Sequence, residues 1–223
     1  METSLDLKLF EAAESGDVEV VKEAIEQGGN VNVTDGDGRS ALYRASKRGH
    51  DDVVRLLLDK GADVRLRDKN NRTALMAAAK KGHVSILKML VEAGGDINSH
   101  DNNGRTALMR AAFLGEFPTV EYLVEQGADK DIKDSKGRTA MMDAVLAFKV
   151  DCIHYLLQQG SNPNAQDNEG CTCLMRAAYG GYDDLCIFLL DRGADKDIKD
   201  NRGKRAIDYC GEHVSDDLLE RLK

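Results

Sequence analysis

An all-α solenoid of stacked antiparallel helix pairs, with β-turn or hairpin loops projecting from it, is the fold class this sequence predicts. Three observations predict it. An Asp recurs at Asp35, Asp68, Asp101, Asp134, Asp167 and Asp200, at a constant interval of 33 residues. The wording after each Asp recurs too: GDGRSAL, KNNRTAL, NNGRTAL, SKGRTAM, NEGCTCL, NRGKRAI. An apolar stripe then follows, closed by a glycine at Gly28, Gly61, Gly94, Gly127, Gly160 and Gly193. A fixed period without insertions marks modules that bury their apolar flanks only against their neighbours.

The period divides one domain, residues 1–223, into an N-terminal capping repeat (1–34), five full repeats (35–67, 68–100, 101–133, 134–166, 167–199) and a C-terminal capping repeat (200–223). The first cap, SLDLKLFEAAESGDVEVVKEAIEQGG, supplies a helix pair whose Lys8, Glu11, Glu14, Glu19 and Glu23 can face water. In the repeat 68–100, Thr73 is placed to cap a first helix reaching about Lys81, and Gly82 offers the positive φ of a tight turn. Ile86, Leu87, Leu90 and Val91 then form one stripe of a second helix, as do Val20, Val21, Ala24 and Ile25 in the cap, or Val53, Val54, Leu57 and Leu58 one repeat earlier. Polar segments such as ADKDIKDSK predict projecting turns. Pro118 falls where a second helix begins, a position that tolerates it. Phe148 occupies the position of Gly49, Gly82, Gly115 and Gly181, so the loop there must differ or be strained. RAIDYCGEHVSDDLLERLK predicts a closing helix pair with a charged face. The chain therefore reads as a complete, monomeric array of seven helix pairs with polar ends that keep it soluble.

Composition agrees. Hydrophobic residues make up 42% of the chain and aromatics only 5%, with no Trp, as suits a line of small cores. No apolar run approaches the roughly 18 residues of a membrane span, and the start METSLDLKLFEAAESGD has no secretion pattern. A cytoplasmic protein is expected, with the nucleus also open. The five cysteines are odd in number and confined to the C-terminal third, which fits free thiols. A net charge of −8 argues against nucleic acid as the partner of the whole protein.

Little chemistry is written here. No phosphate-loop or dinucleotide signature is complete, and Asp35-Gly36-Asp37-Gly38 lacks the acidic twelfth residue of a calcium loop, which is Ser46. Cys171 and Cys173 offer two thiolates where a zinc site wants about four ligands, and His50, His83, His100, His154 and His213 are scattered. No acid, base or nucleophile pairs emerge. The chain is expected to be non-enzymatic, with no catalytic, cofactor or metal residues.

The residues Asp101, Gly104, Thr106, Leu108, Ala111, Ala112, Gly115, Gly127, Ala128 and Asp129 match the phrase D-x-x-G-x-T-P-L-H-x-A-A-x-x-G-H and the later G-A-D-x-N, and the chain resembles the ankyrin-repeat family over nearly its whole length. It departs in one respect. The family's Pro is Ala41, Ala74, Ala107, Ala140, Ala206 or Cys173, and its turn-bracing His is Tyr43, Met76, Met109, Met142, Met175 or Asp208. The resemblance implies recognition on a concave side made of turn tips and the exposed face of the first helices. It also implies, for an animal protein, that Asn32, Asn98 and Asn164 stand where an asparaginyl hydroxylase modifies such modules.

Counting by period, the recognition candidates are Arg39, Arg44, Lys47 and Arg48 in the first full module, then Arg67, Lys69, Arg72, Lys80 and Lys81 in the second. Arg105, Arg110, Phe113 and Leu114 follow, then Phe148, then Arg176 and Tyr179. An acidic protein thus presents a cationic stretch followed by an apolar one. The arginines at one repeat position (Arg39, Arg72, Arg105, Arg138) have a competing structural explanation, pairing with nearby Asp residues. The expected partner is a protein segment with acidic and apolar residues. The alternatives are an inhibitor that blocks a partner enzyme and a binder of nucleotide or RNA phosphates.

Overall fold

The computed structural model of the chain describes residues 4–223, so the first three residues of the N-terminal cap lie outside the described residues. Each module's phrase folds as its capping residue dictates. Ser40, Thr73, Thr106, Thr139 and Thr172 are extended, and each hydroxyl oxygen accepts the backbone N–H three residues on, at 3.1–3.4 Å. One of the orphan donors of a helix start is thereby satisfied. First helices follow: α3 (Ala41–Arg48), α5 (Ala74–Ala79), α7 (Ala107–Leu114), α9 (Ala140–Leu146) and α11 (Cys173–Tyr179). Second helices return antiparallel: α4 (Asp51–Asp59), α6 (Val84–Glu92), α8 (Phe117–Glu125), α10 (Val150–Gln158) and α12 (Asp183–Asp191). The N-terminal pair is α1 (Ser4–Ser15) and α2 (Val18–Glu26).

Two expectations need correction. The helix begun by Thr73 ends at Ala79, because Lys80 and Lys81 already belong to the turn, where Lys81 N–H bonds the Ala78 carbonyl at 3.0 Å. The C-terminal end is not a full helix pair. A single 3-10 turn, Ala206–Tyr209, precedes α13 (Asp216–Leu222). The reason lies in two substitutions: Arg205 stands where the other modules have a capping hydroxyl, and Gly211 stands where they have the helix-extending Ala79 or Ala112.

First helices stack on first helices, α1 on α3, α3 on α5, and so on to α11, and the second helices form a parallel row. Between the rows runs one continuous apolar core from Leu9 and Phe10 to Leu218 and Leu222. Fully buried Ala41, Ala45, Ala78, Ala79, Ala111, Ala112, Ala144 and Ala177 keep the first helices close. Isolated helices this short are marginal in water, so the stacking supplies their stability.

The turn tips are stitched to one another. Backbone N–H groups of Lys69, Asn102, Ser135, Asn168 and Asn201 donate to carbonyls of the preceding tip at 2.9–3.0 Å. Below them, Asn32, Asn98 and Asn164 accept the N–H of Asp63, Asp129 and Asp195 in the next module. These three amides are therefore intermodule staples. Among the described residues the loops contain isolated bridges in place of hairpin strands, Thr34 with Ser40 and His100 with Thr106. At the interhelical loop, Gly49 has φ +88 and a side chain there would meet the ring of His83. Phe148 takes the equivalent left-handed conformation, φ 52, which strains a bulky L residue, and its ring stacks on Tyr182 with centroids 4.2 Å apart.

Leu90 is wholly buried between modules. Leu90→Ala is expected to cost about 2–5 kcal/mol. Denaturant unfolding followed by circular dichroism measures it, and a loss under about 1 kcal/mol contradicts the shared core.

Candidate functional site

The recurring Asp organises each turn before it does anything else. One carboxylate oxygen of Asp35, Asp68, Asp101, Asp134, Asp167 or Asp200 accepts the N–H groups two and four residues on, at 2.8–2.9 Å. The second oxygen is free for a cation, and most of the candidate arginines are drawn to it or to a neighbouring acid. Arg72 and Arg138 pair with Asp68 and Asp134 at 2.6 and 2.7 Å, and Arg39 pairs with Asp37 at 3.0 Å. Arg105 reaches forward to Asp143.

Nine residues after each Asp the modules carry Arg44, Ala77, Arg110, Asp143, Arg176 and Tyr209. Arg44 bonds Asp35 at 2.7 Å and Glu14 at 2.5 Å, Arg176 bonds Asp167 at 2.6 Å and Glu169 at 3.0 Å, and Arg110 pairs with Asp101. The Tyr209 hydroxyl donates to Asp200 in the same way. Asp143 inverts the pattern: it is fully buried between Arg105 and Arg138, and burial pushes its carboxyl above the ordinary value although both arginines oppose that. Arg48 also pairs with Glu14, and Arg67 donates to the carbonyls of Asn71 and His100.

Ala77 is the exception in this file, and the space its missing side chain leaves is a cavity of about 170 Å³. Around it stand Arg39, Lys47, Arg72, Lys80, Lys81 and Arg110, with Tyr43 and Met76. Lys80 is pushed below its ordinary pKa, by burial first and then by Arg110, Lys81, Arg72 and Lys47, with no carboxylate among its main influences. All six cations are recognition candidates by period, whereas Tyr43, Met76 and Ala77 are not among those candidates. The signal was available in the interruption of the Arg44, Arg110, Arg176 file. A larger hollow between the fourth and fifth modules differs in having carboxylates in its wall, Asp167 and Glu169, beside Lys136, Arg138 and Arg176.

Twelve residues after each of the first five of these Asp residues, at the end of the first helix, a second file reads Lys47, Lys80, Phe113, Leu146, Tyr179, and the sixth Asp is followed at that distance by Glu212. All five are exposed, Phe113 by 40% and Tyr179 by 77%, and beside them Leu114 and Phe148 are exposed by 39% and 45%. Arg105 lies 5.5 Å over the Phe113 ring, and Tyr179 meets Tyr209 edge to face at 6.4 Å. Lys69 is exposed at a turn tip.

The family model described as Ankyrin repeats (3 copies) matches residues 9–101, 61–134, 93–167 and 131–200, tiling residues 9–200. No curated protein matches the chain.

Burial raises the thiols, Cys173 and Cys186 to about 12 and Cys152 to about 11, so they are held as small apolar groups. Among the described residues no three His, Cys, Asp or Glu side chains converge as metal ligands, and no helix is long and apolar enough to cross a membrane.

The turn carboxylates make stability pH-dependent. Burial raises Asp68 and Asp134, but the bonds from Arg72 and Arg138 and from backbone N–H groups outweigh it, leaving both below the ordinary value; Asp35 is likewise low. Groups depressed by folding stabilise above their unfolded pKa, near 4, and lose that contribution as pH falls toward their folded pKa. Thermal melts are expected to hold steady from pH 7 to 5 and fall steeply below about 4. A melting temperature unchanged down to pH 3 contradicts the turn assignment.

Proposed function

Because the chain belongs to the ankyrin-repeat family, whose modules generally serve protein–protein interaction, we propose that it is a non-enzymatic binding module for a partner segment carrying acidic and apolar residues. The observation that carries this reading is the exposed file Lys47, Lys80, Phe113, Leu146, Tyr179, which changes from cationic to apolar along consecutive first helices. The bulk of the arginines are neutralised within their own turns, so this change of character belongs to the file itself.

The two halves do different work. The lysines attract an acidic segment from a distance and set its direction along the row, raising the association rate. Large apolar side chains supply affinity when the partner covers them, as at the centre of most interfaces. Such a segment lies along the concave face of the first-helix row and spans at least the second to fourth full modules. An enzyme-blocking role uses the same surface.

With an isolated partner, Lys47→Glu/Lys80→Glu/Lys81→Glu is expected to slow association about tenfold or more at low salt and to flatten its salt dependence. Phe113→Ala/Leu114→Ala is expected to act on dissociation instead, speeding it about tenfold or more. Surface plasmon resonance separates the two rates. Wild-type kinetics in both folded variants contradict the reading.

A further inference from the structure

Nine residues after each recurring Asp, every position but Ala77 carries a polar side chain with a partner. Arg44, Arg110 and Arg176 cross the groove to the turn Asp, Tyr209 does so at the end, and Asp143 collects two arginines in the fourth module. In the second full module Ala77 leaves Asp68 to Arg72 alone and opens the cavity lined by six cations. Asp37, Asp68 and Asp101 pair with Arg39, Arg72 and Arg110. No ion pair within 4.0 Å is formed by Lys47, Lys80 or Lys81 among the described residues, so about three positive charges in the cavity wall are uncompensated. The buried Nε groups of Arg39 and Arg110 have no hydrogen-bond acceptor, a trait shared by Arg44, Arg105 and Arg176 elsewhere in the row. Tyr43 adds a hydroxyl-bearing ring to the wall.

We propose that this cavity receives a phosphomonoester, the phosphorylated Ser or Thr side chain of the partner segment; the proposal rests on the reading of the file as a protein-binding surface. Three features select that chemistry. A carboxylate brings one negative charge and two acceptor atoms, whereas a phosphomonoester brings nearly two charges and three acceptor oxygens, closer to the excess present. Arginine forks and flexible lysines together are the usual donors to such a group. The volume, 170 Å³, exceeds the roughly 10–15 Å³ that one water needs on the same measure, so the cavity has room for a polyatomic group. A net charge of −8 opposes a polynucleotide, which needs a long track of cations along its backbone. The apolar continuation through Phe113, Leu114 and Leu146 suits a peptide leaving the cavity along the file.

The test uses the full chain and two degenerate peptide libraries that differ only in a central phosphoserine or serine. Retention of the phosphoserine library is expected to exceed that of the serine library about tenfold or more, with inorganic phosphate competing. The decisive variant is Ala77→Arg, which restores the side chain that modules one, three and five carry. It adds a positive charge, yet it fills the cavity and reaches Asp68, so phosphoserine selection is expected to vanish. Lys80→Gln, at an exposed helix end, is expected to weaken selection severalfold and serves if Ala77→Arg does not fold by circular dichroism. Equal retention of the two libraries overturns the proposal. So does undiminished selection in a folded Ala77→Arg protein, which assigns the effect to diffuse charge, or tighter binding of an oligodeoxyadenylate than of the phosphoserine library. Selection for apolar positions, removed by Phe113→Ala/Leu114→Ala while phosphoserine selection persists, supports both readings. Phosphoserine selection without any apolar preference in the wild type supports the cavity and overturns the apolar half of the proposed function alone.

Discussion

Each module of this chain hides its apolar flank only against the module beside it, and everything else follows from that constraint. A helix of six to nine residues has too few internal bonds to persist alone. Its stability comes from side chains such as Leu57, Leu90 and Leu123, each fully buried against neighbours. Such burial works only if successive modules present the same flank at the same spacing, and hence the interval of 33 residues is never broken from Asp35 to Asp200. An insertion within a helix would rotate the stripe away from its neighbour. The period is thus a physical requirement of the stack, and it forces equivalent residues into files on the outer face.

The second organising element is the turn carboxylate. By accepting two backbone N–H groups with one oxygen, the Asp fixes the turn; with the other it absorbs an arginine. The chain consequently hides most of its arginine charge in local pairs, each of small net worth where exposed. What remains visible to a partner is set by the exceptions: Ala77 in place of an arginine, Asp143 in place of another, and lysines that lie too far along the helix to reach a turn Asp. Recognition in this protein is written in departures from its own repeat.

The architecture was legible because it rests on periodicity. The interval, the capping hydroxyls and the apolar stripes identify every helix from α1 to α12, and Phe148 in a glycine position marks a loop that must differ or be strained, of which the strained, left-handed backbone is the outcome. The C-terminal end was not legible to the same degree, since RAIDYCG retains the apolar rhythm of a helix while Arg205 and Gly211 remove its start and its continuation. Charge was the harder part. A list of basic residues does not reveal which of them are neutralised, because Arg105 pairs with Asp143 in the next module and Arg44 with Glu14 in the previous one. Those partners are distant in sequence, and only the fold brings them together. The cavity at Ala77 is easily passed over for a related reason: a small residue in a column of large ones signals a space only when the column is read vertically, across modules.

The claim on which the account depends is that constant-period stacking sets residues 47, 80, 113, 146 and 179 in one regularly spaced file. Electron–electron double resonance between spin labels placed pairwise at these positions, with Cys210 replaced, measures it directly. The account predicts distances that grow in nearly equal steps of about 10 Å per module, the ordinary spacing of packed helices. Distances that fail to grow with the number of modules between labels, or that break between positions 113 and 146, contradict it.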